Sequence, residues 1–129
     1  MRNMQHPNLV PYWGSFVVDH YLWVLMPLLD GGSCTHIMKW GFPDGFDEPT
    51  IATIMREALK GLEYLHSQGS IHRDIKAGNI CLDEAGNVFL TDFGVSACVY
   101  SGNGAGAATT FVGTPCWVSR CCCGCCSWC

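Results

Sequence analysis

The chain is 129 residues long and carries a formal net charge of −4, from 7 basic and 11 acidic side chains. That length supports one modest core and no second full domain, and the acidic balance offers no basic face for nucleic acid. Only 14% of the residues are charged, against about 25% in an ordinary soluble domain, as expected where a partner segment covers some of the apolar surface.

The stretch from Met1 to Val10 has no sustained apolar core of the kind that opens a secretory leader, and no later run reaches the ~20 apolar residues of a membrane span. No membrane partner is expected, and the default compartment is the cytosol, where thiols stay reduced. Of the ten cysteines, Cys34, Cys81, Cys98 and Cys116 are scattered singly, while Cys121, Cys122, Cys123, Cys125, Cys126 and Cys129 crowd the last nine residues. This compositional break sets the segment 118–129 apart from 1–117.

In chain order, Leu9–Val18 and Tyr21–Met26 are rich in Val, Leu, Tyr and Trp around Asp19-His20, which predicts two antiparallel strands and a tight turn. Pro27 and Asp30-Gly31-Gly32 end that sheet, and a short helix is expected over Ser33–Trp40. Ile51, Ile54, Met55, Ala58, Leu59, Leu62 and Leu65 recur at three- and four-residue steps, the stripe of an amphipathic helix whose apolar side is core. Asp47 is its expected N-cap, Glu48 and Pro49 suit its first turn, and Gly69 suits its end. Ile80-Cys81-Leu82 and Val88-Phe89-Leu90 then flank a turn, a second hairpin. From Ser101 to Thr110 the chain is Gly, Ala, Ser, Thr and Asn without periodicity, which reads as a mobile loop.

Between the long helix and the second hairpin stands His72-Arg73-Asp74-Ile75-Lys76-Ala77-Gly78-Asn79, and after the hairpin Asp92-Phe93-Gly94. Phosphoryl transfer asks a protein for a nucleophile held in line, a divalent metal on the phosphate oxygens and cations near the developing charge. A loop with Asp, then Lys two residues on and Asn five residues on, can aim all three at one point. The hairpin returns a second Asp beside the Asn, and a carboxylate with an amide oxygen suits Mg²⁺.

The run His72–Asn79 with Asp92-Phe93-Gly94 downstream resembles the catalytic loop and metal motif of eukaryotic protein kinases. The likeness extends from Gln5 to Trp117, and Asp30–Ser33, Leu59–His66 and Thr110–Trp117 are most similar to the germinal-centre branch of the sterile-twenty-type serine/threonine kinases, near the oxidative-stress-responsive group. The resemblance implies an α+β fold, a partial protein-kinase-like architecture holding the end of the small lobe, the hinge and the start of the helical large lobe. It also implies ATP and Mg²⁺ as cofactors, a protein substrate and an upstream activating kinase.

Carried over by position, Asp74 is similar to the base that orients the substrate hydroxyl, Lys76 to the lysine at the γ-phosphate, and Asn79 and Asp92 to the magnesium ligands. Arg73 resembles the arginine that pairs with a phosphorylated activation loop, and Thr110 the site of that phosphate, with Thr109 a weaker candidate. Lys76 with Thr114 matches the serine/threonine pattern. Met26 stands where the gatekeeper lies and Pro27–Leu29 at the hinge. Pro27 has no N–H to donate, so adenine would be met by Leu28 or Leu29, over a floor formed by Cys81. His72 corresponds to a structural histidine that braces Phe93.

Plainer readings stand beside these: Asp74 as a turn residue, Thr110 as an ordinary loop threonine. The spacing of Cys122, Cys123, Cys125, Cys126 and Cys129 contains zinc-knuckle steps without a second pair to complete a site, and clustered cysteines are also acylated near membranes. An altered splice site or shifted reading frame explains the abrupt change at Val118 most simply, and the tail is expected to be disordered. Before the first strand there is no glycine-rich phosphate loop and no strand lysine. The expectation is a kinase by family with little activity in this chain alone, or a non-catalytic truncated isoform that acts as an interaction module.

Overall fold

The structure, a computed structural model, describes residues 4–92 and the backbone of Ala97–Cys98. Thr109, Thr110, Thr114 and the cysteine-rich tail lie outside the described residues, as do Phe93 and Gly94.

Two antiparallel strands, β1 (Gly14–Val18) and β2 (Tyr21–Leu25), form the first hairpin, with Phe16 opposite Trp23 and Val18 opposite Tyr21. Its turn places Asp19 at φ 53°, a left-handed conformation that Asp adopts more readily than most residues. The first strand is shorter than the sequence pattern suggests. Pro11 lacks the N–H a ladder needs, and the residues before it leave the hairpin to bond elsewhere: Val10 N donates to Leu90 O at 3.0 Å and Leu90 N to Asn8 O at 2.9 Å.

After the hairpin, β3 (Gly32–Ser33) leads into α1 (Cys34–Gly41), whose N-cap Ser33 accepts from His36 N at 3.2 Å. The long helix α2 (Glu48–Ser67) begins at Asp47, whose side chain accepts from Thr50 N at 3.3 Å. That bond satisfies one of the donors that a helix start leaves unpaired. Gly69, at φ 67°, ends it by donating to His66 O at 2.9 Å.

The strand β4 (Ser70–Ile71) follows and pairs with β7 (Ala97–Cys98), while β5 (Ile80–Leu82) and β6 (Val88–Leu90) form the second hairpin between them. The strand β3 adds to its other edge, giving the order β3-β5-β6.

The core lies where α2 crosses β6. Ile54, Ala58, Gly61 and Leu65 are the buried residues of the helix, spaced four, three and four apart on one face. Leu65 and Leu90 are fully buried, with Leu9, Ile80 and Val88 beside them. Burying each such leucine stabilises the fold by about 1.5–3 kcal/mol. The apolar stripe of α2 is wider than this single layer covers, so Ile51, Met55 and Leu59, expected in the core, stay exposed at 39 to 55%.

Gly61 marks the closest approach. A Cβ there would lie 3.0 Å from Asn8 O and 3.1 Å from Leu90 Cδ1, and Asn8 O is already fixed by Leu90 N. Gly61→Ala should therefore destabilise the protein in urea denaturation, although alanine favours a helix interior by about 1 kcal/mol. A gain in stability would show that the 8–10 segment yields.

Candidate active site

The helix–strand sequence of α2 and β4 delivers residues 72–79 into a short loop that closes with a 3-10 turn at Ala77–Asn79. Asn79, almost fully buried, organises that loop. Its Nδ2 donates to Asp74 O at 2.8 Å and to Asp74 Oδ2 at 3.0 Å. Lys76 Nζ reaches the same carboxylate oxygen at 2.8 Å. Two donors, an amide and an ammonium, are thereby aimed at one oxygen, and Asp74 is held as an acceptor in a site where its side chain is only 9% exposed.

The hairpin is locked to this loop from the other side. Thr91 N donates to Asn79 O at 2.9 Å and Thr91 Oγ1 donates to it at 3.3 Å. The next residue, Asp92, is thus carried to within one residue of the Asn79 backbone, exposed and at φ 63°. Arg73, at φ 68°, is the other left-handed non-glycine beside the site. For a long side chain that conformation costs on the order of 1–2 kcal/mol, and such strain collects where function fixes the backbone.

His72 is the brace. Asp74 N donates to its Nδ1 at 3.3 Å, so the proton sits on Nε2, which donates to Thr91 O at 2.9 Å. A neutral ring satisfies both partners. Burial pushes its pKa below the ordinary 6.5, while the Thr91 carbonyl and the nearby carboxylates oppose that shift.

The stretch beginning at Met26 stands apart from the loop, with Met26 and Leu28 exposed. It connects to the same sheet through Gly32, which donates to Leu29 O at 3.0 Å and pairs with Leu82, next to Cys81. Gly31 is required there, since a Cβ would lie 2.8 Å from Leu82 O. Cys81 is half-buried, its Sγ 3.8 Å from Thr91 Oγ1. The neighbouring Cys34 thiol is pushed up to about 11, chiefly by burial and secondarily by Cys81.

No cluster of three His, Cys, Asp or Glu side chains able to hold a metal occurs among the described residues. The donors present fit a cation that keeps water and substrate oxygens. With Nδ2 of Asn79 engaged by Asp74, its Oδ1 is the side-chain atom that would face a cation, and Asp92 adds an exposed carboxylate one residue beyond Thr91, which bonds the Asn79 backbone. One amide oxygen and one carboxylate are what Mg²⁺ takes from a protein when phosphates supply the rest.

Two contributors were not singled out from the sequence. Thr91 links brace, loop and hairpin, and its position just before Asp92 was the only signal. Asn8, almost fully buried, donates through Nδ2 to Val88 O at 3.0 Å and to Glu57 Oε2 at 3.3 Å, fastening the start of the chain to the hairpin and the helix.

The family model described as protein kinase domain matches residues 1–120. The chain belongs to the protein kinase family. It is 54% identical over 114 residues to serine/threonine-protein kinase fray2 of Dictyostelium discoideum, covering 88% of this chain and 11% of that one. It is 45% identical over 135 residues to germinal center kinase 3 of Caenorhabditis elegans, covering 92% and 22%. It is 47% identical over 120 residues to serine/threonine-protein kinase sid1 of Schizosaccharomyces pombe, covering 92% and 24%. These relatives are serine/threonine kinases of the sterile-twenty and germinal-centre type, as the motifs suggested, and the chain spans between 11 and 24% of their lengths.

The His72 brace has a pH signature. Its folded pKa lies below its unfolded value, so on acidification the unfolded chain takes up the proton first. The stability it contributes is complete above 6.5 and is lost progressively as pH falls below that value toward the folded pKa. The urea midpoint should drop between about pH 7.5 and about pH 5.5, and His72→Asn should flatten that slope. A wild-type midpoint constant across this range would contradict the buried neutral imidazole.

Proposed function

We propose that residues 1–117 are the hinge, catalytic-loop and metal-binding part of a serine/threonine protein kinase. The observation that carries this reading is the convergence of Lys76 and Asn79 on one oxygen of Asp74, with Asp92 brought alongside by Thr91.

In this reading the adenine of ATP lies between the backbone of Leu28 and Leu29 and the floor at Cys81, with Met26 as gatekeeper. Asp74 accepts the proton of the substrate hydroxyl and keeps that oxygen in line with the γ-phosphate. Lys76, hydrogen-bonded to Asp74 while no phosphate is present, turns to the γ-phosphate oxygens as charge develops there. Asn79 Oδ1 and the Asp92 carboxylate would hold Mg²⁺, which would supply charge neutralisation at the phosphate oxygens. Asn79 has a second duty in fixing the Asp74 carboxylate through Nδ2. An upstream kinase acts on Thr110, and the phosphate pairs with Arg73. Within a whole kinase domain, these residues would serve the phosphorylation of protein substrates in the cytosol.

The 129 residues by themselves are proposed to be catalytically silent. Residues 1–13 contain no lysine for the α- and β-phosphates and no glycine-rich loop to cover them. Kinase chemistry is almost wholly positioning and electrostatics, so these 129 residues assayed without such groups should retain little of the rate.

The purified chain, given Mg-ATP and a serine/threonine peptide, should release no phosphopeptide; turnover abolished by Asp74→Asn would contradict that silence. A fluorescent ATP analogue should nonetheless bind, more tightly with magnesium, and Asp92→Asn should remove a magnesium-dependent gain of about tenfold or more. Magnesium-independent binding, unchanged in Asp92→Asn, would contradict the assigned site.

A further inference from the structure

On the outer side of α2 a cleft of about 630 Å³ is walled by Arg56, Glu57 and Lys60, by the 86–89 end of the second hairpin and by the 6–8 segment. None of its lining residues belongs to the 72–79 loop. Its walls are fastened together by Asn8, whose Nδ2 bonds both Val88 O at 3.0 Å and Glu57 Oε2 at 3.3 Å. A cleft with tied walls is preformed and needs little ordering when something binds.

Its charges are unevenly engaged. Glu57 is the acidic residue of the wall, and it is satisfied from three directions. Oε1 accepts from Lys60 Nζ at 2.7 Å and Arg56 Nε at 3.2 Å, and Oε2 from Asn8. The Lys60 hydrogen bond leads in holding that carboxyl below its usual range.

The two cations keep donors in reserve. A guanidinium carries five N–H groups and an ammonium three, and Glu57 takes one from each. Their side chains are 68% and 53% exposed. His6, also on the wall, accepts from Asn8 N through Nδ1 at 3.1 Å, which leaves its proton on Nε2. The cleft therefore presents a row of donors, on a chain whose net charge is −4.

The spacing of those donors has a natural counterpart. Arg56 and Lys60 share one helix face, four residues apart, a rise of about 6 Å. In an extended peptide, side chains two residues apart project the same way about 6.6–6.8 Å from each other. The rise between the two stems is therefore close to the spacing of alternate side chains in an extended segment. Carboxylates on such a segment would draw the Arg56 and Lys60 heads apart from the Glu57 oxygen they share, with the Arg56 fork suited to paired acceptor oxygens.

We propose that this cleft docks a short extended acidic segment of a partner protein, with Asp or Glu at alternate positions held by Arg56 and Lys60. The surface serves recruitment and is separate from the Asp74 site.

The test is fluorescence anisotropy with a labelled peptide of alternating Glu and Leu, about eight residues long, against its counterpart with Lys for Glu. The acidic peptide should bind and the basic one should not. The double substitution Arg56→Gln with Lys60→Gln should weaken binding about tenfold or more, while Asp74→Asn leaves it unchanged. Equal binding of both peptides, no binding of the acidic one, or an unchanged double variant would overturn the proposal. So would an RNA oligonucleotide that competes as well as the peptide, since that marks general polyanion attraction. Should the double variant fail to fold by circular dichroism, hydrogen exchange on the wild-type chain decides. Protection by the peptide at amides of 53–60 and 86–89 supports the cleft, and protection elsewhere overturns it.

Discussion

The site depends on a single buried asparagine used at both ends. The side chain of Asn79 holds the backbone and the carboxylate of Asp74, and its own carbonyl accepts from Thr91. One residue thus couples the loop that carries Asp74 and Lys76 to the strand that delivers Asp92. Without its side chain, the loop would still be tied to the strand through the backbone ladder and the His72 ring, but the Asp74 carboxylate would lose one of the donors aimed at it. A buried amide of this kind must find all its partners or cost stability. The same bonds that assemble the site therefore also penalise its misassembly.

The second constraint is the imidazole of His72, which bonds Asp74 N on one side and Thr91 O on the other. It reaches the two residues that Asn79 also joins, so loop and strand are cross-linked twice within a few ångströms. Both ring bonds require the neutral form. Burial is the first cause of its lowered pKa, and the ring is as fully enclosed as Leu65 and Leu90. Any opening that admits water to the ring therefore lets it charge. The left-handed backbones of Arg73 and Asp92 persist because these surrounding bonds outweigh their local cost.

Much of this was legible in the residues. The helix over Glu48–Ser67, its Asp47 cap and its Gly69 end follow from local chemistry that needs no tertiary partner. The two hairpins followed from alternating β-branched and aromatic runs around short turns. The residues of the loop were legible because their spacing is unusual for a turn and chemically coherent for phosphate work. What stayed hidden was long-range. Periodicity alone could not tell Ile54 and Leu65, which are buried, from Ile51 and Leu59, which stay 39 and 55% exposed. Nothing in the local sequence marks Asn8, yet it meets Val88 eighty positions away. Pro11 should have divided the first strand, since a residue without an N–H cannot extend the ladder. The pairing of β3 with β5, which joins the Leu29 stretch to the Cys81 strand, rests on two residues, too few for any sequence pattern.

The central claim is that Asp74, Asn79 and Asp92 surround one metal–nucleotide position. Paramagnetic relaxation with Mn²⁺ in place of Mg²⁺ reads that position directly, through amide signals of the isotope-labelled chain in the presence of ATP. Broadening should be strongest at Asn79 and Asp92, weaker at Asp74, and should require the nucleotide. Broadening centred on the acidic turn at Asp83 and Glu84, or spread without focus, would mean that the carboxylates and amide gathered around the loop do not form a metal site.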